Sequence, residues 1–121
     1  MANDFKRFTS SSLGTTTGAS ATAVYTVPST GSVAVESIVI GITLANKSSS
    51  GITADVFLDN YEGSNDVYIV KNASIPAGSS LEVMSGNKLV LQGDGTTNDA
   101  IRISASASSS LDATISVLED V

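Results

Sequence analysis

Apolar and polar residues alternate along most of the chain, and this pattern predicts β-strands rather than helices. In two successive runs apolar residues occupy every second position: Ile38, Ile40, Ile42 and Leu44, then Ile52, Ala54, Val56 and Leu58. We expect each set to lie on one face of a strand. The Ser-Ser-Ser-Gly sequence at residues 48–51 predicts a hairpin between the two strands. Gly41, in the middle of the first run, indicates a β-bulge or the close approach of a neighbouring segment.

The last third of the chain consists of short strand-like runs separated by tight turns. Residues that favour turns are grouped at 75–78, 86–88, 93–95 and 108–110. Gly supplies positive φ angles there, while Pro, Asn, Asp and Ser favour turn geometry. Together with the earlier runs, they predict an all-β, antiparallel β-sandwich of about eight strands, either immunoglobulin-like or jelly-roll. The pattern leaves the strand order open.

Residues 1–20 differ in composition from the rest of the chain. A cluster of charged and aromatic residues is followed by a low-complexity stretch of Ser, Thr and Gly. Such a stretch buries too little apolar surface to offset the entropy lost on ordering. The composition alone favours a disordered tail. Because Phe5 and Phe8 are suited to anchor the segment in a groove of a neighbour, we expect instead an extended N-terminal assembly arm over residues 1–20 and a β-sandwich domain over residues 21–121. The candidate protein-interaction residues of the arm are Phe5, Lys6, Arg7 and Phe8.

Length and charge restrict the partners. The chain has 121 residues, which suits one domain, and its 12 acidic and 6 basic residues give a net charge of −6. This charge disfavours nucleic acid, whose phosphates are bound by Lys and Arg. No apolar run is long enough to span a bilayer, so we expect no membrane partner. Residues 1–14 lack the apolar run of a signal peptide, so we expect no export by that route.

The sequence lacks the residue types on which common catalytic sites depend. The chain has no His and no Cys, so the usual base for a serine nucleophile is absent. Lys71 and Lys88 border turns, where a lysine is not desolvated enough to replace that base. Glu82 and Asp112 lie in or beside predicted strands, as outward-facing charges commonly do. Residues 93–99 indicate turn chemistry. We predict no catalytic residue, no cofactor and no enzymatic activity.

One loop is rich in possible calcium ligands. Residues 59–66, from Asp59 to Asp66, carry several carboxylate and amide oxygens. Tyr61 stands at the third position, where an EF-hand loop needs an oxygen ligand. The spacing therefore favours a solvated loop, and no metal-ligating residue is predicted, although calcium binding is left open.

The run Ser-Ala-Ser-Ala at residues 104–107 presents small side chains at successive positions of a predicted strand. Small side chains allow another surface to approach closely. The run therefore predicts either a contact between subunits or a thin edge of the sandwich.

Four segments of the C-terminal half combine short strands with tight turns: 72–83 (NASIPAGSSLEV), 86–91 (GNKLVL), 101–106 (IRISAS) and 111–119 (LDATISVLE). This pattern resembles that of small β-sandwich structural proteins in the virions of tailed bacteriophages. The resemblance covers roughly residues 66–121. Residues 95–98 lengthen one turn relative to the tight Gly-Asp turn expected from the family.

The resemblance implies a structural virion protein that acts through protein–protein contacts, first of all a capsid decoration or cement protein. It implies a homo-oligomer, located in the virion, whose partners are the major capsid protein or tail components. One alternative is a tail, neck or fibre-associated adaptor. The second is a carbohydrate- or host-surface-binding module, for which Tyr61 and Tyr68 are the aromatic residues near a loop.

Overall fold

The computed structural model of the protein describes residues 3–30, 33–34, 36–61, 63, 66–84 and 88–120. Over these residues the chain forms strands and a 3-10 helix at Gly18–Ser20. The strands, in chain order, are β1 (Asn3–Ser10), β2 (Thr22–Thr26), β3 (Ser29–Thr30), β4 (Val33–Ala34), β5 (Glu36–Asn46), β6 (Ile52–Asp59), β7 (Val67–Ile75), β8 (Ser80–Glu82), β9 (Leu89–Leu91), β10 (Ala100–Ala105) and β11 (Leu111–Asp120).

Nine of these strands pair into two antiparallel sheets. The first sheet has the order β1-β11-β5, and both β8 and β9 pair with the far edge of β5. The second sheet has the order β2-β10-β6-β7. The short strands β3 and β4 pair with each other. The prediction of an all-β antiparallel sandwich is therefore confirmed.

The strand order is that of a jelly roll rather than an immunoglobulin domain. Connections after β1, β2, β4, β5, β7, β9 and β10 carry the chain to a different sheet, whereas β6 and β7 pair as sequence neighbours. In an immunoglobulin domain the first two strands share a sheet, but here β1 and β2 lie in opposite sheets. Of the two sandwich types left open by the sequence, the topology supports the jelly roll.

The predicted hairpin at residues 48–51 is wrong, because β5 and β6 lie in different sheets. A buried side chain holds this crossover in place. Asn46 Nδ2 donates to the carbonyl oxygens of Ser50 at 2.8 Å and Ile75 at 3.0 Å, and Asn46 Oδ1 accepts from the Ser48 amide at 3.0 Å. These bonds satisfy the polar groups that a chain carries when it passes from one sheet to the other.

The core lies between the two sheets and is mostly aliphatic. Its largest fully buried apolar side chains are Leu13, Ile42, Leu44, Ile75, Leu91, Ile101, Ile103, Leu111 and Ile115. β-Branched and leucine side chains from both inner faces interdigitate there, as in other sandwiches. Tyr25 is the aromatic residue of this buried cluster.

Residues 3–21 lie on the sandwich, which differs from the expected separate arm. β1 pairs with β11 over its whole length, from Asn3 opposite Asp120 to Ser10 opposite Ala113. Leu13 follows in the core and donates its amide to the Leu111 carbonyl at 2.9 Å. The apolar surface of this one leucine and the β1 hydrogen bonds hold a segment whose composition predicts disorder. Whether the segment also contacts a neighbour stays a prediction.

A bulge in β5 changes which residues face outward. Gly41 pairs with Ser116 and Val39 pairs with Val117, so Ile40 has no partner in β11. The bulge predicted at Gly41 is thus confirmed within one residue. The shared face predicted for residues 38–44 is wrong, because the bulge turns Ile42 inward while Ile40 remains exposed.

Candidate interaction surface

An apolar row crosses the outer face of the first sheet. Phe5 of β1 pairs with Leu118 of β11, Leu118 with Ile38 of β5, and Ile38 with Val90 of β9. Side chains directly opposite one another in adjacent strands lie about 5 Å apart, so the four form a continuous stripe. Phe5 is 78% exposed and Val90 is 59% exposed. We call these four residues the apolar row.

Ile40 extends this surface. Its side chain is 39% exposed in the bulge of β5, two residues from Ile38. Five large apolar side chains are exposed among the described residues: Phe5, Ile40 and Val90 belong to this end of the first sheet, and Val67 and Tyr68 belong to β7 of the second. Exposed apolar residues that occur singly need no explanation, but a contiguous group indicates a contact surface.

A second row on the same face has the opposite character. Thr9 pairs with Thr114, Thr114 with Thr43, and Thr43 with Glu82. The Thr43 hydroxyl donates to Glu82 Oε2 at 2.9 Å. We call Thr9, Thr114 and Thr43 the threonine row. Because the two rows share the same strands, the apolar character of the first is a local property and not one of the whole sheet.

The predicted interaction residues divide between two faces of β1. Phe5 lies in the apolar row, and Arg7 is exposed opposite Ser116 on the same outer face. Lys6 and Phe8 point toward the sandwich. The Phe8 ring packs against Tyr25, with centroids 4.7 Å apart. The structure therefore brings together only half of the predicted set on the outer surface.

Lys6 reaches a buried carboxylate beneath the end of the apolar row. Its Nζ lies 3.0 Å from Oε1 of Glu119, which is 1% exposed. The two groups form an ion pair. The hydrogen-bonding and charge interactions with Glu119 raise the pKa of Lys6 above its usual value. The pair fastens the middle of β1 to β11.

The other oxygen of Glu119 is held by a tyrosine. Tyr25 donates its hydroxyl to Glu119 Oε2 at 2.6 Å, and the same hydroxyl lies 2.7 Å from Ser37 Oγ. Burial, and then the hydrogen bond to Glu119, raise the pKa of Tyr25 well above its usual range. The carboxylate therefore remains buried because charged and hydroxyl partners surround it.

Sequence reasoning missed the other members of the apolar row. Their signal was present, since Val90 stands between Leu89 and Leu91, and Leu118 follows directly after Val117. Consecutive apolar residues in a strand place apolar side chains on both of its faces.

The proposed calcium loop is only partly described, since residues 62, 64 and 65 lie outside the described residues. Asp59 Oδ2 lies 2.8 Å from Arg102 Nε, and Asp66 Oδ1 accepts from the Asn60 amide at 2.7 Å. In the part of the loop that the structure describes, these carboxylates thus have protein partners. Across all described residues, no group of three or more His, Cys, Asp or Glu side chains could hold a metal ion.

The turn predicted at residues 93–99 is confirmed. Asp94 Oδ1 accepts from the amides of Thr96 at 2.9 Å and Thr97 at 2.7 Å. These bonds, that of Thr97 first, lower the pKa of Asp94. A Cβ on Gly93 would overlap Asn98, so the close approach of these two segments of the turn requires glycine there.

The small-residue run at 104–107 does not form an edge of the sandwich. β10 lies between β2 and β6 inside the second sheet. Ser104 is 2% exposed and faces outward beside Asp55 of β6, its cross-strand partner. The expected thin edge is therefore wrong, and the small side chains border a cavity instead.

No helix among the described residues is long and apolar enough to cross a membrane. No family model matches the chain. No curated protein matches it either.

A solved structure of infectious bursal disease virus, Gx strain, contains a chain that is similar to this one. The similarity covers 97% of this chain, with 11% sequence identity and a TM-score of 0.41. This chain spans about a third of that chain, 32% of its length. At this TM-score no conclusion is transferred from one protein to the other.

Proposed function

We propose that this chain is a structural protein of a virus particle and that it works by contact with neighbouring proteins through the apolar row. The single observation that supports this function is the in-register stripe of Phe5, Leu118, Ile38 and Val90 on an open sheet face. Contiguous exposed apolar groups are characteristic of protein–protein interfaces.

The surface is suited to binding because it is already rigid. β11 pairs along its length with β1 on one side and β5 on the other, so the middle of the row is fixed before any partner arrives. Little ordering entropy is then lost on association. Burial of the row contributes roughly 25 cal/mol per Å² of apolar area, and repetition by symmetry multiplies a modest contact.

We propose that the partner on the row is a second copy of this chain. On the outer face Glu36 lies on one side of the row and Arg7 lies on the other. A two-fold axis along the row would bring Arg7 of one copy to the same side as Glu36 of the other. Opposite charges would then flank an apolar centre, which is the usual anatomy of an interface.

The finer proposal is a capsid decoration or cement protein of a tailed bacteriophage, made in the host cytoplasm and carried in the virion. It is supported by the resemblance of residues 72–83 and 111–119 to small virion proteins, and by the contact surface. Its partners would be the major capsid protein and further copies of itself. A tail, neck or fibre-associated adaptor would use the same surface and is the alternative.

Electron microscopy of purified particles with gold-labelled antibodies against this protein tests the proposal. A decoration protein is expected to carry label over the whole head. Label at one vertex, or along the tail, would support the adaptor instead. Particles that contain no label, together with no peptide of this chain in their mass spectrum, would contradict a virion protein of either kind.

A further inference from the structure

A polar cavity of about 150 Å³ opens on the outer face of the second sheet, away from the apolar row. Residues 14–21 cross this face, because the Gly14 carbonyl accepts from the Ala105 amide at 3.0 Å and the Ala21 carbonyl accepts from Arg102 Nη1 at 2.7 Å. The cavity lies between this connector and the strands β6, β7 and β10.

A buried carboxylate forms the floor of the cavity. The Asp55 side chain is only 8% exposed, its Oδ1 accepts from the Asn72 amide at 2.7 Å, and its Oδ2 lies 3.4 Å from Lys71 Nζ. A carboxylate has about four lone-pair positions, so it can accept further hydrogen bonds from a ligand. Ser104, the cross-strand partner of Asp55, adds a hydroxyl to the same floor.

A bulge brings the Lys71 side chain and the Asn72 backbone amide to this carboxylate. The pairing of β6 with β7 shifts at Asp55, since Ala54 pairs with Ala73 and Val56 pairs with Val70. Lys71 and Asn72 both fall in the gap, and Asn72 adopts a φ of 55°, in the left-handed region that few residues other than Gly enter. Bulges of this kind re-aim side chains next to binding sites.

Lys71 is fixed from two sides. Its ammonium lies 4.6 Å from the centroid of the Tyr68 ring as well as 3.4 Å from Asp55. Burial acts to lower the pKa of Lys71, but its hydrogen bond to Asp55 and the charge of that carboxylate raise it overall. The cavity thus presents a fixed cationic donor beside a fixed anionic acceptor.

The rest of the lining consists largely of hydroxyl groups. Thr15 and Thr17 contribute from the connector, Thr53 from β6 and Ser106 from the end of β10. Hydroxyls both donate and accept, so they match ligand hydroxyls in either direction. An inorganic anion would face the charge of Asp55, and an apolar ligand would leave these groups unpaired.

We propose that this cavity binds a single sugar ring, that is, a neutral ligand with several adjacent hydroxyl groups. The carboxylate accepts from two neighbouring hydroxyls, the Lys71 ammonium donates to a third oxygen, and the threonines line the rim. This inference is independent of the proposed virion function, because it concerns the other sheet. A particle protein with such a site would hold glycans while its apolar row holds proteins.

Titration by NMR tests the cavity, with glucose, galactose, mannose and N-acetylglucosamine as separate probes and inorganic phosphate as an anionic one. At least one sugar is expected to shift the amide signals of Thr53, Asn72 and Ser104, with a Kd on the order of 1 mM. No shift with any sugar up to its solubility limit would overturn the proposal. Shifts with phosphate alone would overturn it as well.

Substitutions then test whether the sugar binds in this cavity. Ser104→Val and Thr17→Val each remove one hydroxyl, and each is expected to weaken sugar binding by about threefold or more. Thr17 is exposed, so its variant keeps the fold even if Ser104→Val does not. Thr114→Val, an equivalent change in the threonine row, is the matched control and should leave the Kd unchanged.

Equal weakening by the control variant, or none by Thr17→Val, would contradict binding at this place. The sugar-binding proposal and the proposal of assembly through the apolar row can be refuted independently. Thr17→Val is expected to leave the mass of the protein in solution unchanged, whereas changes in the apolar row are expected to alter the mass and leave sugar binding intact.

Discussion

The two ends of the first sheet differ in the side chains that face solvent and in those that lie beneath them. At the threonine row, polar side chains face solvent, and Ile42, Leu44 and Ile115 fill the core beneath. At the apolar row, apolar side chains face solvent, and the inward positions that flank the row change from the buried Val39 and Val117 on one side to the buried Ser37 and Glu119 on the other. One set of strands can therefore serve as an ordinary exterior at one end and as a contact surface at the other.

The difference lies in the strand sequences and not in the fold. Along β11 the inward positions are apolar from Leu111 to Val117, and then the inward Glu119 follows the outward Leu118. The inward side chain thus changes from apolar to charged between Val117 and Glu119. A buried ionic group needs partners, and Lys6 and Tyr25 supply them, while Ser37 contacts the Tyr25 hydroxyl. The ion pair with Lys6 fixes the position of β1 at this end.

The largest effect is expected when two leucines near opposite ends of β11 are truncated and their losses in the free energy of unfolding are compared. Leu111 is fully buried under the threonine end, whereas Leu118 is half-buried in the apolar row. Leu111→Ala leaves a cavity in the core and is expected to lower the free energy of unfolding by about 2–5 kcal/mol. Leu118→Ala is expected to cost less than half as much. Urea unfolding of both variants measures this, and equal losses would show that the row is packed as a core.

The next effect concerns the buried acid at the apolar end. Tyr25→Phe removes the donor to Glu119 Oε2 and is expected to lower the free energy of unfolding by about 1.5–3 kcal/mol at neutral pH. Ser37→Ala removes only a neutral hydroxyl partner of the same tyrosine and is the milder control. A Tyr25→Phe variant as stable as the wild type would contradict the buried network.

The same end is expected to lose stability in alkali. Tyr25 and Lys6 both have raised pKa values in the folded protein, while in the unfolded chain they lose protons near their usual values of 10.0 and 10.5. The unfolded state then binds fewer protons than the folded state, so the free energy of unfolding falls as the pH rises above about 10. Unfolding measured from pH 8 to 11 should show this fall, and a smaller one for Tyr25→Phe. Identical slopes would disprove the assignment.

The threonine end is expected to respond to acid, and more weakly. The Ser12 amide and then Lys47 lower the pKa of Asp112 below its usual 3.8. A depressed folded pKa gives stability above pH 3.8 that is lost as the pH falls through the folded value. Asp112→Asn should reduce this acid sensitivity slightly, because the pair is exposed. An unchanged acid profile in the variant would show that Asp112 contributes nothing.

Much of the fold follows from local pattern, and the remainder depends on contacts distant in sequence. Alternation in residues 52–58 and 111–117 predicts strands with correct inner faces, and Asp94 predicts its turn. The crossover at residues 48–51 could not be told from a hairpin, because Asn46 makes its decisive bond with Ile75, far away in the chain. Leu13 likewise is ordered only by the core that receives it.

The candidate surface was predictable in part. Phe5 and Arg7 stand out as an aromatic and a basic residue in a polar segment, and both face outward. Val90 and Ile38 could be assigned to the same row only once the register was known, because strands β9 and β5 pair across a long separation in sequence. A shift of β9 by one residue would have put Val90 in the core instead.

The most direct test of the central claim is the mass of the protein in solution, measured by light scattering over a range of concentrations. The wild type is expected to have a small integer multiple of the monomer mass. Phe5→Ser combined with Val90→Ser should give a folded monomer, whereas Thr9→Ser combined with Thr114→Ser should keep the wild-type mass. A monomeric wild type at every concentration, or an apolar-row variant with the mass of the wild type, would contradict assembly through this face.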